Sequence, residues 1–252
     1  MFRTIFLLVL FSIGGRVRAD EGPQHWSATR IIPAPEAHQA AAADDQFAYA
    51  IASSTIAKYD RSTGERLAVS TGDAQHLNSG FLREGQLLCA HSNYPKLPEQ
   101  SEIKSLNLKT MQLTTYHSFG NYGGSLTWVV RHDDHWWCNF ARYGKHNRET
   151  FLVKMNDQWQ EQARYTYPET VLKELGNFSL SGGLWLDNHL LVTGHDDPVV
   201  FRLRLPREGT VLEFIDTQSV PFTGQGFAVD PHSGGLIGIS RAKRQIVFAA
   251  QK

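Results

Sequence analysis

The chain has 252 residues with 25 basic and 25 acidic side chains, a formal balance of zero that gives no electrostatic reason for a polyanionic partner, so nucleic acid is excluded as the expected ligand. Hydrophobic residues at 41% and charged residues at 20% suit a packed globule and exclude disorder, collagen and coiled coil. The 21 glycines and the 11% aromatic share lean toward turns and strands, and the length is that of one large domain.

Arg3 precedes an apolar run from Ile5 to Leu10, extended through Phe11 and Ile13, and Val17-Arg18-Ala19 places small side chains where a signal peptidase reads. Residues 1–19 are therefore expected to be a signal peptide. Removing nineteen residues from 252 leaves 233, residues 20–252, as a single secreted or periplasmic domain. A membrane anchor needs about 20 apolar residues, and Gly14, Gly15, Arg16 and Arg18 interrupt this run well before that. No later segment has the apolar length to span, so no membrane span is expected after cleavage, and the mature protein is expected to be a monomer.

From about residue 36 the chain falls into short β-branched and aromatic runs separated by Gly, Asp and Asn, with turn pairs such as Thr63-Gly64 and Gly234-Gly235. The one helical signal is Pro168 to Leu175, opened by a proline and closed by Gly176. The strands repeat. A small-residue opening recurs at His76 to Gly80, Gly123 to Trp128, Ser179 to Trp185 and Thr223 to Phe227, with a degenerate copy at His38. Second strands follow at Phe47 to Ile51, Leu87 to Ala90, Trp136 to Phe140, Leu190 to Thr193 and Leu236 to Ile239. Third strands are expected at Thr55 to Tyr59, Glu102 to Leu108, Thr150 to Met155, Val199 to Leu205 and Gln245 to Ala249.

Fourth strands are visible only in the first four copies, at Glu65 to Ser70, Gln112 to Phe119, Trp159 to Tyr165 and Thr210 to Asp216. The fifth copy has no chain left for one. An open edge exposes unpaired backbone groups, and the extended segment from Trp26 to Ile32 is available to cover it. The expectation is an all-β, five-bladed β-propeller, closed by an N-terminal strand (residues 26–32) that completes the last blade. Cys89 and Cys138 occupy equivalent slots in neighbouring second strands, about 10 Å apart and beyond disulfide reach, so two buried free thiols are expected. Trp128 and Trp185 read as packing between blades.

In a propeller the starts of the innermost strands and the ends of the second strands share one face, around the axial channel. The starts supply His38, His76, Asn78, Ser125, Ser181 and Gln225, and the second-strand ends supply His91, Asn139, His195, Asp196 and Arg241. His195-Asp196-Asp197-Pro198 combines an imidazole with carboxylates, as a general acid and base requires, and reads equally as a turn in which Asp197 caps backbone amides. His91, expected half a ring away, would face His195 across the mouth. Hence His91, His195 and Asp196 are the candidate catalytic residues, and His38, His76, Asn78, Ser125, Asn139, Ser181, Gln225 and Arg241 the candidate ligand-binding residues. The four histidines, with Asp196, also make a divalent metal an open expectation, although no compact ligand spacing such as HExxH occurs. No Gly-x-Ser-x-Gly elbow and no phosphate-cradling loop is present. Asn177-Phe178-Ser179 matches a glycosylation sequon.

On openings such as Tyr122-Gly123-Gly124-Ser125-Leu126-Thr127-Trp128 and Thr223-Gly224-Gln225-Gly226, the chain resembles secreted five-bladed propellers of the plant and bacterial glutaminyl-peptide cyclotransferase type, and uncharacterised exported bacterial propellers described as cycloisomerase-like. The resemblance implies the propeller fold over nearly all of the mature chain. The cyclotransferase pattern carries an acidic residue between glycines of an innermost strand; here the stretches read Gly123-Gly124-Ser125 and Ser181-Gly182-Gly183, without a carboxylate. Two functions are expected from different classes. One is an exported enzyme using histidine acid and base steps on a small polar compound, a sugar or organic acid, at the channel mouth. The other is a noncatalytic propeller that binds a ligand or protein partner through the same face.

Overall fold

The computed structural model describes residues 25–252, and the expected leader with its cleavage point lies outside the described residues. The first strand, β1 (Trp26–Pro33), belongs to the last blade. Blade 1 contains β2 (Ala40–Ala43), β3 (Phe47–Ile51), β4 (Ile56–Asp60) and β5 (Arg66–Val69). Blade 2 contains β6 (His76–Arg83), β7 (Gln86–Ser92), β8 (Ser101–Asn107) and β9 (Leu113–Gly120). Blade 3 contains β10 (Ser125–His132), β11 (His135–Ala141), β12 (Phe151–Met155) and β13 (Glu161–Thr166). Blade 4 contains β14 (Gly182–Leu186), β15 (His189–Thr193), β16 (Val199–Arg204) and β17 (Glu213–Ser219). Blade 5 contains β18 (Ala228–Val229), β19 (Leu236–Ser240) and β20 (Gln245–Gln251), and β1 completes it.

The closure is the one the unfilled edge predicts: β1 runs antiparallel to β20, from Trp26 opposite Gln251 to Pro33 opposite Gln245, with one irregularity between Ala28 and Arg30. Every sheet is antiparallel, and the first four are meanders. Three of the hairpins leading from an innermost to a second strand turn on two residues that both take positive φ: Glu84-Gly85, Asp133-Asp134 and Asp187-Asn188. Turns of that hand match the right-handed strand twist, and five of these six residues are the Gly, Asp and Asn that best tolerate them, Glu84 being the exception.

Middle strands lie between neighbouring blades and are buried on both faces. That explains the unbroken Trp136-Trp137-Cys138-Asn139-Phe140-Ala141 run of β11. Outer strands face solvent, so β5, β9 and β13 keep mostly exposed residues. The core is accordingly not at the axis but in four apolar clusters wedged between blades. Gly183 shows how tight these wedges are. A Cβ there would stand 2.4 Å from the indole of Trp128, which is fully buried in the blade 3 to blade 4 seam. The opening glycine therefore admits an aromatic ring from the neighbouring blade.

Several expected boundaries shift. The fifth innermost strand begins at Ala228 because the segment before it bonds to the neighbouring blade 1: the Gly226 amide donates to the Gln39 carbonyl, and Ala40 bridges Gly226 in parallel. The helix after Pro168 covers only Glu169–Leu172, and a 3-10 turn at Gly144–Glu149 had no expected counterpart. Cys89 and Cys138 are free and fully buried, and burial pushes both thiols up. Among the described residues no helix is long and apolar enough to cross a membrane.

Candidate functional site

The propeller axis opens, on the face carrying the starts of the innermost strands, into a hollow of about 230 Å³. Six of the expected residues line it: His76 and Asn78 from β6, Ser181 just before β14, His195 after β15, Gln225 before β18 and Arg241 after β19. His38 stands beside them.

Arg241 organises the group. Its backbone N–H donates to Thr223 Oγ1 at 3.1 Å, and its side chain reaches back over the mouth. One guanidinium nitrogen lies 3.1 Å from His195 Nε2 and the other 3.2 Å from His38 Nε2. A guanidinium has only donors, so both imidazoles must present unprotonated Nε2 atoms and carry their proton on Nδ1. In His195 that Nδ1 lies 2.8 Å from Asp196 Oδ1. The ring is also stacked on Phe178, with centroids 3.8 Å apart and planes 11° from parallel. His195 is thus held from three directions. Burial, then the Arg241 charge, pushes His38 below the usual histidine range, and burial, then the neighbouring His38 and Arg241, does the same for His76.

Among the described residues Arg241 has no carboxylate at ion-pair distance, whereas most other arginines do, as in Arg61 with Asp230, Arg202 with Asp216 and Arg204 with Glu213. The hollow's lining holds no Asp or Glu at all. Asn78 and Gln225 are buried, and each spends its amide donor on a backbone carbonyl: Asn78 Nδ2 on Leu126 at 3.2 Å, Gln225 Nε2 on His195 at 2.6 Å. Their carboxamide oxygens accept no hydrogen bond from the described residues.

Four expected residues are not brought to this hollow: His91, Asn139, Ser125 and Asp196. His91 is inside the ladder of β7, paired with Leu77 and Glu102; its Nε2 accepts the Gln75 amide at 2.8 Å and its Nδ1 lies 3.5 Å from Glu102. It does not face His195. Asn139 is fully buried mid-strand, donating to Thr127 Oγ1 at 2.8 Å and accepting from the Tyr167 hydroxyl at 2.8 Å, so it ties blade 3 together. Ser125 lies in an adjoining hollow with Lys96, Arg142 and His146, behind the Tyr94 and Tyr143 rings. Asp196 keeps an exposed side chain and opens with Asp197 and Glu174 onto a separate groove behind Phe178. The turn there closes through the Asp197 carbonyl, which accepts the Val199 amide.

The expected divalent site does not fit. Among the described residues no three His, Cys, Asp or Glu side chains converge on one point, and the Nε2 lone pairs of His38 and His195 face a guanidinium. Sequence reasoning missed Gln39, Tyr94, Tyr143 and Phe178, all of which line the hollow. Tyr94 packs between His76 and Tyr143 with its ring tilted against both, centroids 5.2 and 4.9 Å away, and its place three residues beyond His91 was the available signal. At the opposite end of the axis lies a larger, mainly apolar hollow of about 440 Å³, lined by residues such as Phe81, Val130, Leu184 and Val229. Polarity at the mouth is therefore not imposed by the propeller axis itself.

No protein-family model matches the chain, and no curated protein matches it. Among solved structures it is similar to the glutaminyl cyclase of Myxococcus xanthus, with a TM-score of 0.61 and 10% identity over 91% of this chain and 97% of that one. It is also similar to the β-propeller domain of Cps50 (Swd1) from Myceliophteria thermophila, with a TM-score of 0.49 and 9% identity over 90% of this chain and 99% of that one. The likeness to the cyclase is one of fold: this chain is an all-β, five-bladed propeller of the architecture that enzyme has.

Proposed function

We propose that this protein binds a small polar compound carrying an anionic group, a carboxylate above all, in the hollow at the mouth of its axis. The observation that carries the reading is Arg241: a partly buried guanidinium with no acidic partner among the described residues, flanked by two imidazoles that accept from it, above a cavity without carboxylates. A charge held without its counterion in a concave site is stabilised by a ligand of opposite sign, and planar guanidinium geometry matches a carboxylate. The apolar leader from Ile5 to Leu10 and the small residues up to Ala19 support an exported protein that meets this ligand outside the cytoplasm.

The test is thermal melting and calorimetric titration of the mature protein with small carboxylates and with neutral sugars. A carboxylate at a hundredfold excess over its Kd adds about 2.7 kcal/mol, which raises the melting point of a domain this size by roughly 5–10 °C. Arg241→Gln removes a charge-assisted contact and is expected to cost tenfold or more in affinity. Absence of any carboxylate effect, or an unchanged effect in Arg241→Gln, refutes the proposal.

A second reading, proton transfer at the same mouth, is favoured by the 2.8 Å approach of Asp196 to His195 Nδ1, which leaves Nε2 as the basic atom once a bound anion draws the Arg241 guanidinium away from it. If a bound compound is turned over, His195→Gln should abolish turnover with the fold intact. In a noncatalytic module the same change weakens association only modestly.

A further inference from the structure

The mouth hollow offers more than a cation, and the rest of its inventory narrows the ligand. Asn78 and Gln225 are fixed in orientation by chemistry: their amide nitrogens must point at the Leu126 and His195 carbonyls, since two acceptors cannot face each other. Their oxygens are thereby left as acceptors for whatever enters between them. Ser181, from the next blade, adds a hydroxyl to the same lining. The complement is therefore one fixed positive charge and at least two buried acceptors, which calls for a ligand with an anionic group and several hydrogen-bond donors.

Those donors are of one kind. An ammonium would satisfy the acceptors, but the hollow holds no carboxylate to pair it, and Arg241 opposes a second cation a few ångströms away. Neutral donors remain, hydroxyl or amide N–H, and a small acid that carries several of them along one face is a polyhydroxy acid. The volume of about 230 Å³ suits a single six-carbon unit and is too small for an oligomer. The rings of Tyr94 and Phe178 at the rim, 40% and 41% exposed, provide flat apolar surface of the kind that covers the C–H face of a sugar ring.

We propose that the ligand is a monosaccharide acid, a hexuronate or aldonate, with its carboxylate on Arg241 and its hydroxyls on Asn78, Gln225 and Ser181. This rests on the anion-binding reading above and specifies it. Discrimination against acids that lack hydroxyls follows because they leave the two carboxamide oxygens desolvated and unpaired.

The experiment is calorimetric titration of the mature protein with galacturonate, gluconate, galactose, succinate and glutamate. Galacturonate or gluconate is expected to bind at least tenfold more tightly than succinate, galactose and glutamate alike. Ser181→Ala and Gln225→Met, each checked for an unchanged circular dichroism spectrum, should weaken the sugar acid fivefold or more and shrink its advantage over succinate. If succinate or glutamate binds as well as the sugar acids, the hydroxyl assignment is overturned while the anion site stands. Equal binding of galactose and galacturonate, or no binding by any acid, removes the anion site itself.

Discussion

His91 is buried and uncharged at neutral pH: burial pushes its ring down to about 4, against the partial opposition of the Glu102 carboxylate 3.5 Å away. An unfolded chain protonates histidine near 6.5. Between those values the unfolded state binds a proton that the folded state refuses, so stability is fully present above pH 6.5 and falls as the pH drops toward 4, by roughly 3 kcal/mol at the limit. Melting curves from pH 7 to 4 should show a shallower acid loss for His91→Gln than for the parent chain, and identical slopes would contradict the assignment. Binding of carboxylates at the mouth should be unaffected by that substitution. The same scale explains Gly183. With the Trp128 ring 2.4 Å from any added Cβ, Gly183→Ala must displace a fully buried indole, and a loss of about 1–3 kcal/mol in chemical denaturation is expected.

Strands decide which of these side chains reach the mouth. The sequence places His91 and His195 in matching slots at the ends of second strands, yet β7 continues to Ser92 while β15 stops at Thr193. His91 is consequently locked into a ladder, and His195 sits in the turn beyond one, free to lean onto Phe178 and Arg241. Asn139 lies inside the expected strand as well as inside β11, and its side chain meets Thr127 and Tyr167 instead of the mouth. Strand existence was legible because alternation and turn residues act locally. Strand length was not, because the last pairings depend on what the neighbouring strand offers. The closing strand β1 makes an element-scale prediction. Ile32 is 1% exposed and packs into the cluster between blades 1 and 5, so Ile32→Ala should cost about 2–4 kcal/mol, whereas Ile31→Ala, at a half-exposed position, should change the denaturation midpoint little.

Across the whole ring, closure is secured twice, once by the β1 to β20 ladder and once by Arg61 of blade 1 clasping Asp230 of blade 5. The clasp is bidentate, at 2.5 and 2.6 Å, with the Asp230 side chain only 2% exposed. Removing one member leaves the other charged and buried, so Asp230→Asn is expected to cost about 3–5 kcal/mol. Arg148→Ala, which breaks the solvent-exposed pair with Glu169, should cost less than about 1 kcal/mol. Equal effects would show that the clasp is not what holds the seam.

The amino-acid sequence by itself determined the number of blades, the order of strands within each and the need for an N-terminal strand to finish the last, because strand periodicity, turn chemistry and an unpaired edge are properties of neighbouring residues. Only the tertiary structure decided that Arg241 would share its guanidinium between His195 and His38, residues 46 and 203 positions away. Such a meeting depends on the curvature that brings blades 1, 4 and 5 to one axis and on which strand ends fall short of it. Neither is encoded in any local run of the chain.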